Sequence, residues 1–357
     1  MNHSIIRCGS YFTDSMANFR HIFPALLWLL ISCNNKKKEE VPTLFLSAKE
    51  VVRLNQLVYK ENMLQIFGVN APEYEIVFLP HPVNGNFAFI AHRKKSRQYA
   101  LVIRGSLIEF SKEGFQNFIL QDFNIFTIRS WNFTDTIKQA KISNGAWTGF
   151  QNLLQLKAIK GGLSIKDYIL REIPAGSSIV ITGHSLGGNL AYPMAGYLKK
   201  ELPKGKKENL QLITFGAPAA GNAAFVQDME EKYPMAERYS TNKDIATVFP
   251  DMDRIHEIAG ITGLDSIVNL GSLRLSGITK KLETGELFDI AGKILEATNV
   301  INPTNRYVQS QLHLRQLTNT DAAASASPLS VEGIFQNVYQ FHRIDTYAKL
   351  LGVKELL

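Results

Sequence analysis

The sequence predicts an α/β fold with a mostly parallel central sheet flanked by helices. Two observations favour this class. Strand-like runs alternate with helical patterns along the chain, and one buried strand passes directly through a glycine-rich turn into a helix. That junction is GSSIVITGHSLGGNLAYPMAG, residues 176–196. Because the active residues of such folds collect at the carboxyl ends of the strands, the junction is also the first candidate for a functional site.

The junction has the pattern of a nucleophile elbow. The β-branched run SIVIT, residues 178–182, predicts a short buried strand, and G-x-S-x-G follows at 183–187. Glycines at both ends allow a turn tight enough to expose the Ser185 hydroxyl at a helix N-terminus, where the Leu186 amide can face an oxyanion. The motif predicts Ser185 as a nucleophile. The alternative is an ordinary strand-to-helix turn in which Ser185 is an N-cap.

The composition is that of a globular protein with a substantial core. The chain has 357 residues, of which 45% are hydrophobic and 20% charged, and its formal net charge is +7. The basic residues are scattered and form no stripe with interleaved aromatics, which argues against nucleic-acid binding. Cys8 and Cys33 are its two cysteines. A mature chain that keeps Cys33 alone has no internal disulfide and no cysteine metal site, and the predicted chemistry requires no metal or cofactor.

The N-terminal region is predicted to be a signal peptide, residues 1–32, whose true start could be Met16. The apolar run IFPALLWLLI at 22–31 is too short to span a bilayer. Leu-Ile-Ser-Cys at 30–33 resembles the lipobox of bacterial lipoproteins, which implies lipidation of Cys33 and a charged tether over 33–43. The alternative is a plain secretory signal. The expected location is extracytoplasmic and lipid-anchored, at the outer membrane or cell surface of a Gram-negative bacterium.

The rest of the chain, 44–357, is expected to form a single domain with a helical insertion at about 255–300. A Ser47–Glu50 capping box predicts a helix over 48–60, and 163–173 predicts another. Phenylalanines between 107 and 128 are interpreted as core rather than as an acyl pocket or lid. Strands are predicted at 75–79, 87–92, 99–104, 178–182, 210–215, 238–241 and 306–317.

A nucleophilic serine needs a base within hydrogen-bond reach and a carboxylate that orients the base. Asp244 directly follows a predicted strand, where a fixed carboxylate is wanted, and it is favoured over Asp228, Asp251, Asp253 and Asp265. Among the downstream histidines, His256 follows Asp244 too closely and His313 is expected in mid-strand. His342, after the last strand, is therefore the predicted base. The alternatives are that Asp244 is a turn residue and His342 an ordinary helix residue.

The predicted strand 99–104 leads into Arg104-Gly105-Ser106. Alone, these residues indicate no more than a strand-end turn. In an acyl-transfer enzyme, however, a second oxyanion donor comes from the loop after an early strand. The amide of Ser106 is therefore predicted to act with that of Leu186.

Several segments together resemble the class 3 lipases of the α/β-hydrolase superfamily. The match is carried by LVIRGS (101–106), AWTGF (146–150), VITGHSLGGNLA (180–191), FGAPAAGNAAF (215–225), RYSTNKDIATVFP (238–250), and His342 with Tyr347. The resemblance implies an α/β-hydrolase fold with Ser185 as nucleophile, Asp244 as acid and His342 as base. It also implies Ser106 and Leu186 as oxyanion donors. Ala219 departs from the family pattern, which often has arginine there.

The expected activity is hydrolysis of carboxylic, and specifically lipid, esters by a serine lipase or esterase through an acyl-enzyme intermediate. The expected partners are a lipid ester substrate and the membrane, through the lipid anchor. Two alternatives remain open. The fold could serve binding in a non-catalytic surface lipoprotein, or the same site could act on thioesters or peptides.

Overall fold

The computed structural model describes residues 44–106, 127–134, 137, 139–251, 257, 306–322 and 339–357. The signal peptide, Cys33, the tether, His256 and nearly all of the 255–300 insertion lie outside these residues, as does most of the phenylalanine-rich segment. The helices are α1 Ala48–Leu57, α2 Met63–Asn70, α3 Asn144–Gln155, α4 Ile165–Arg171, α5 Leu186–Glu201, α6 Ala223–Lys232 and α7 Ile344–Leu350. The strands are β1 Tyr74–Phe78, β2 Ala88–Arg93, β3 Gln98–Ile103, β4 Ile128–Ser130, β5 Lys141–Ser143, β6 Ser178–His184, β7 Leu210–Phe215, β8 Glu237–Thr241 and β9 Leu314–Leu317.

A seven-stranded sheet organises the molecule, in the order β1-β2-β3-β6-β7-β8-β9. Strands β1, β2 and β3 pair with one another in antiparallel fashion. From β3 onward, β3, β6, β7, β8 and β9 pair in parallel. The predicted α/β fold with a mostly parallel sheet is therefore confirmed. Strand β6, which leads to Ser185, is the fourth of the seven, so the serine lies at the middle of the carboxyl edge.

The central strands are buried on both faces, as expected for parallel strands covered by helices. In β6, Ile179 and Ile181 face one hydrophobic cluster and Val180 faces the other. This alternation follows from the two-residue period of a strand. The first cluster includes residues of α3, α4, α5 and α6, whereas the second includes residues of α1, α2 and α7. Helices therefore cover both sides of the sheet.

Local sequence signals explain where several helices begin. Before α1, the Glu50 carboxylate accepts hydrogen bonds from the Ser47 amide and hydroxyl, both at 2.8 Å, as the predicted capping box requires. Ser143 and Asn222 cap α3 and α6 by accepting from the amides three residues on. Helix α5 continues through Pro193 to Glu201. The helical preference of the surrounding residues therefore outweighs the free-energy cost of the hydrogen bond that proline removes.

The predicted strand 306–317 is wrong over most of its length. The structure pairs 314–317 alone as β9, and a turn covers 311–313. Upstream, the amide of Gln309 donates to the Asp251 carboxylate at 3.0 Å, and its side chain donates to the Ala217 carbonyl at 2.9 Å. These contacts with loops hold the chain away from a sheet partner. The predicted helix 48–60 also ends earlier, at Leu57.

Candidate active site

Ser185 occupies a strained turn between β6 and α5. Its backbone has φ 58° and ψ −130°, in a region that side-chain-bearing residues rarely adopt. The Ser185 amide donates to the Phe215 carbonyl of the neighbouring strand at 3.0 Å, which holds the turn against the sheet. The residue is 6% exposed. Such a conformation persists because the surrounding structure overdetermines it, as a nucleophile elbow requires.

The glycines around the serine are required by close backbone contacts. A Cβ on Gly183 would collide with the backbone of Gly187, across the turn. A Cβ on Gly187 would collide with the carbonyl of Ile103 at the end of β3. The elbow is thus packed directly against the strand that leads to Ser106, which brings the two predicted oxyanion segments together.

The structure brings Ser185, Asp244 and His342 into one hydrogen-bonded chain. The Ser185 Oγ lies 2.7 Å from His342 Nε2, and His342 Nδ1 lies 2.9 and 3.0 Å from the two carboxylate oxygens of Asp244. Asp244 is fully buried and His342 is 4% exposed. The carboxylate can only accept, so Nδ1 carries the proton and Nε2 is free to accept the serine proton. This is the arrangement of a nucleophile, a base and an orienting acid.

Two further groups hold the Asp244 carboxylate in place. The amide of Ala246 donates to Oδ1 at 2.9 Å, and the hydroxyl of Tyr347 donates to Oδ2 at 2.6 Å. Burial and the nearby Asp244 charge raise the pKa of Tyr347, so its hydroxyl stays protonated and remains a donor. In the sequence, Tyr347 stands out only with His342, as part of a segment that resembles the family. Its contact with Asp244 was not foreseen.

Gly216, at the end of β7, lines the other side of the same carboxylate. Its φ of +55° is in the left-handed region, which favours glycine. A Cβ there would lie 2.9 Å from Asp244 Oδ2, 3.2 Å from the Tyr347 hydroxyl and 3.3 Å from His342 Cε1. The absence of a side chain at Gly216 therefore makes room for the acid and the base at once.

Three of the competing candidates, Asp228, Asp251 and His313, lie elsewhere in the described part of the chain. Asp228 forms a buried ion pair with Lys232 at 2.8 Å, within α6. Asp251 accepts from the Gln309 amide. His313 lies in the turn before β9 rather than in mid-strand, and burial lowers its pKa. His256, Asp253 and Asp265 lie outside the described residues.

The predicted oxyanion donors come from the two segments that meet at the elbow. Leu186 is the first residue of α5, so its amide has no carbonyl partner within the helix. Ser106 follows the end of β3, beside the backbone that Gly187 packs against. Both residues are partly exposed. An amide at a helix start and an amide from the β3 loop are the two donors that such sites use.

His184 precedes the elbow serine, and its ring lies 4.8 Å from that of His342 between centroids. Its Nε2 lies 2.6 Å from the backbone carbonyl of His342, and its Nδ1 lies 2.9 Å from the hydroxyl of Tyr59. Burial lowers the pKa of His184 to about 3. Tyr59 was missed because it lies far away in sequence, just after α1, with no motif around it.

Within the described ranges, no three His, Cys, Asp or Glu side chains are grouped so that they could hold a metal ion. Nor does that part of the chain contain a helix long and apolar enough to cross a membrane.

Comparison with known proteins identifies the fold. The class 3 lipase family model matches residues 108–253. Lipases of Rhizopus niveus and Rhizopus oryzae are each 24% identical to the chain over 181 residues, 48% of this chain and 41% of each lipase. The solved structure of M37 lipase resembles it with a TM-score of 0.64 at 20% identity, over 86% of this chain and 94% of that one. The fold is that of the α/β-hydrolases.

These matches show similarity to lipases over part of the chain. The chain spans about two fifths of the length of the curated relatives that it matches. The segment matched by the family model includes Ser185 and Asp244 and ends before His342. The three-dimensional structure brings the C-terminal His342 to the elbow.

Proposed function

We propose that the protein is a serine ester hydrolase that cleaves carboxylic esters, specifically lipid esters, through an acyl-enzyme intermediate. The observation that carries the proposal is the chain of hydrogen bonds from Ser185 through His342 to Asp244, at 2.7 and 2.9 Å, beside a strained elbow. A serine N-cap in an ordinary turn would require none of these contacts. The similarity to lipases supports the same reaction class.

In the first step, the Ser185 oxygen attacks the ester carbonyl carbon while His342 Nε2 takes the hydroxyl proton. The C–O double bond opens and its electron pair moves to the oxygen, where the amides of Leu186 and Ser106 stabilise the charge. The tetrahedral intermediate then collapses. The bond to the alkoxy group breaks, His342 returns the proton to the leaving alcohol, and an acyl group remains on Ser185.

In the second step, water takes the place of the alcohol. His342 removes a proton from water as it attacks the acyl carbonyl, and the intermediate collapses to release the carboxylic acid and regenerate the Ser185 hydroxyl. Asp244 keeps the imidazole in the tautomer with Nδ1 protonated and stabilises the imidazolium that forms in both steps. Because Tyr347 and the Ala246 amide fix the carboxylate, the imidazole does not need to reorient between the steps.

The deciding experiment compares wild type with Ser185→Ala on p-nitrophenyl esters, triglyceride and phospholipid. Wild type should turn over at least one ester class, and Ser185→Ala should lose activity by on the order of 10⁴-fold or more. The matched control is Ser178→Ala. Ser178 is also buried, at the opposite end of the same strand, so this variant should retain activity. Near-normal turnover by a folded Ser185→Ala protein would exclude the proposed mechanism.

A second comparison separates the alternative activities. Thioester and amide analogues of the best ester are assayed beside it, and a fluorophosphonate probe is used to label the serine. Preference for the thioester or the amide would reassign the enzyme to a thioesterase or a peptidase. A folded protein that neither labels nor turns over any of the three would favour a binding lipoprotein.

We also propose that the mature protein is a lipoprotein anchored through Cys33. Support comes from the short apolar run at 22–31 and the Leu-Ile-Ser-Cys sequence at its end. One acyl chain binds a membrane only marginally, whereas the multiple chains of a bacterial lipoprotein anchor stably. An anchored hydrolase would work where lipid esters are concentrated, at the outer membrane or cell surface.

A further inference from the structure

Tyr59 and His184 link two parts of the active site that come from opposite ends of the chain. The Tyr59 hydroxyl hydrogen-bonds the Gly105 amide, next to the predicted oxyanion donor Ser106. It also contacts the imidazole of His184 at 2.9 Å. The other nitrogen of that imidazole contacts the carbonyl of His342 at 2.6 Å. A continuous path of hydrogen bonds therefore runs from the Gly105 amide, in the loop after β3, to the backbone carbonyl of His342.

The direction of each hydrogen bond in this path follows from the chemistry of its partners. A carbonyl oxygen only accepts, so His184 Nε2 must carry the proton that it donates to His342. Burial lowers the pKa of His184 to about 3, so the imidazole is neutral at working pH and Nδ1 is bare. Nδ1, at 2.9 Å, then accepts from the Tyr59 hydroxyl and is nearer to it than the second acceptor, the His184 carbonyl at 3.1 Å. The hydroxyl oxygen in turn accepts from the Gly105 amide. In this arrangement the His342 carbonyl, the His184 imidazole, the Tyr59 hydroxyl and the Gly105 amide each have a hydrogen-bond partner.

The surroundings leave this arrangement little freedom. A Cβ on Gly105 would collide with the Tyr59 hydroxyl and would lie 2.7 Å from the His184 carbonyl, so backbone and ring are already in close contact. The rings of Tyr59 and His184 meet edge to face with centroids 5.6 Å apart, and those of His184 and His342 are 4.8 Å apart. A shift of Tyr59 or His184 would therefore move either the oxyanion loop or the base.

We propose that Tyr59 and His184 are positioning residues that set the distance between the oxyanion donor on the Gly105–Ser106 loop and the catalytic base His342. The inference rests on the proposed hydrolase function and deepens it. Neither side chain takes or gives a proton during turnover. Their effect is to hold the oxyanion donor and the base at fixed positions relative to Ser185. Small displacements of reacting groups lower the reaction rate.

The first test measures kcat and KM of Tyr59→Phe on a soluble p-nitrophenyl ester. The variant keeps the ring and removes the hydroxyl with its contacts to the Gly105 amide, the His184 imidazole and the His184 carbonyl. We expect kcat to fall by roughly 10- to 100-fold, with KM within about two-fold of wild type, because the loss falls on the transition state. Affinity for a boronic acid that mimics the tetrahedral intermediate should fall in parallel. The matched control is Tyr233→Phe, which removes a buried hydroxyl bound to the Ala195 carbonyl at 2.8 Å, and should leave kcat unchanged.

Substitutions of His184 test the other half of the path. Gln retains an N–H donor for the His342 carbonyl, whereas Leu does not. We therefore expect His184→Gln to keep several-fold more kcat than His184→Leu at equal KM. An unchanged kcat in Tyr59→Phe, or equal losses in the two His184 variants with intact folding, would overturn the proposal.

A measurement without turnover distinguishes failure of this inference from failure of the hydrolase assignment. In ¹⁵N-histidine-labelled protein, His184 should show a protonated Nε2 and a bare Nδ1 from pH 5 to 8. Tyr59→Phe should shift the Nδ1 resonance. A protonated Nδ1 in wild type would refute the path even if the enzyme is active. Conversely, wild-type turnover equal to that of Ser185→Ala would refute the hydrolase assignment while the NMR result stands.

Discussion

At the scale of single residues, the geometry of the candidate site depends on the groups around the Asp244 carboxylate. Asp244 is fully buried, and its carboxylate is surrounded by His342, Tyr347 and the Ala246 amide. A buried charge is tolerated only when hydrogen bonds replace the lost water. The same hydrogen bonds leave the carboxylate one orientation, which is the one that faces Nδ1 of the base.

Tyr347→Phe should lower kcat/KM by about 10-fold while KM changes little. The substitution removes the 2.6 Å hydrogen bond to Asp244 Oδ2 and leaves a buried charge with one donor fewer. Hydrogen bonds to charged groups contribute about 1.5–3 kcal/mol, which sets the expected size. Steady-state kinetics on a soluble ester measure it, with Tyr233→Phe as the control for loss of a buried hydroxyl. Full activity in Tyr347→Phe would mean that Ala246 and His342 suffice to hold the acid.

The identity of the base is tested by paired alanine variants. His342→Ala should approach the loss seen for Ser185→Ala, because it removes the group at 2.7 Å from the Ser185 oxygen. His313→Ala should retain activity, since His313 lies in the turn before β9. The same ester assay is used for both. An inactive His313→Ala variant together with an active His342→Ala variant would make His313 the base instead of His342.

His184 also makes stability depend on pH. Its pKa is lowered to about 3 by burial, against about 6.5 in the unfolded chain. Between these values the unfolded chain binds a proton that the folded protein does not, so this contribution to stability is complete above pH 6.5 and declines as the pH falls. At 1.36 kcal/mol per unit, wild type should lose about 2 kcal/mol between pH 6.5 and pH 5 relative to His184→Gln. Urea unfolding at the two pH values measures the difference. Parallel curves would contradict it.

At the scale of elements, the best-predicted parts are those with a strong local cause. The strand 210–215 was predicted at its observed limits, and the elbow strand was predicted from its β-branched run. The stretch at 306–317 failed over most of its length because Gln309 hydrogen-bonds the loops around Ala217 and Asp251 instead of a sheet partner. Tyr59 could not be found from sequence. Its role depends on a contact with His184, 125 residues away, that no local pattern encodes.

Two helical glycines give opposite predictions for the same substitution. Gly68 in α2 has open space around it, and an alanine there should stabilise the protein by roughly 0.5–1 kcal/mol through helix propensity. In α5, a Cβ on Gly188 would lie 2.8 Å from the Ala217 side chain and 3.0 Å from the Gly183 carbonyl. Gly188→Ala should therefore destabilise by about 1–3 kcal/mol and disturb the elbow. Thermal unfolding ranks the two variants. A stabilised, fully active Gly188→Ala would show that α5 can move off the sheet without cost.

At the scale of the whole molecule, Leu44 lies at the end of the sheet opposite Ser185. The Leu44 carbonyl accepts from the hydroxyl of Ser178, the first residue of β6, whereas Ser185 follows the last. Seven strand residues at about 3.3 Å each separate these ends by roughly 20 Å. The proposed lipidation of Cys33 concerns location, and the proposed chemistry at Ser185 does not use it.

Cys33→Ser should separate location from catalysis. We expect the variant to leave the membrane fraction, or to keep an uncleaved signal, because the acylated residue is missing. Its kcat on a soluble ester should equal that of wild type, since Cys33 is not among the residues proposed for the reaction at Ser185. Incorporation of a clickable fatty acid, fractionation and the ester assay are measured on the same preparations, with Cys8→Ser as the matched control. A wild-type protein that takes up no label and fractionates as soluble would end the lipoprotein proposal. A fall in kcat without the anchor would instead show that the N-terminal segment contributes to the site.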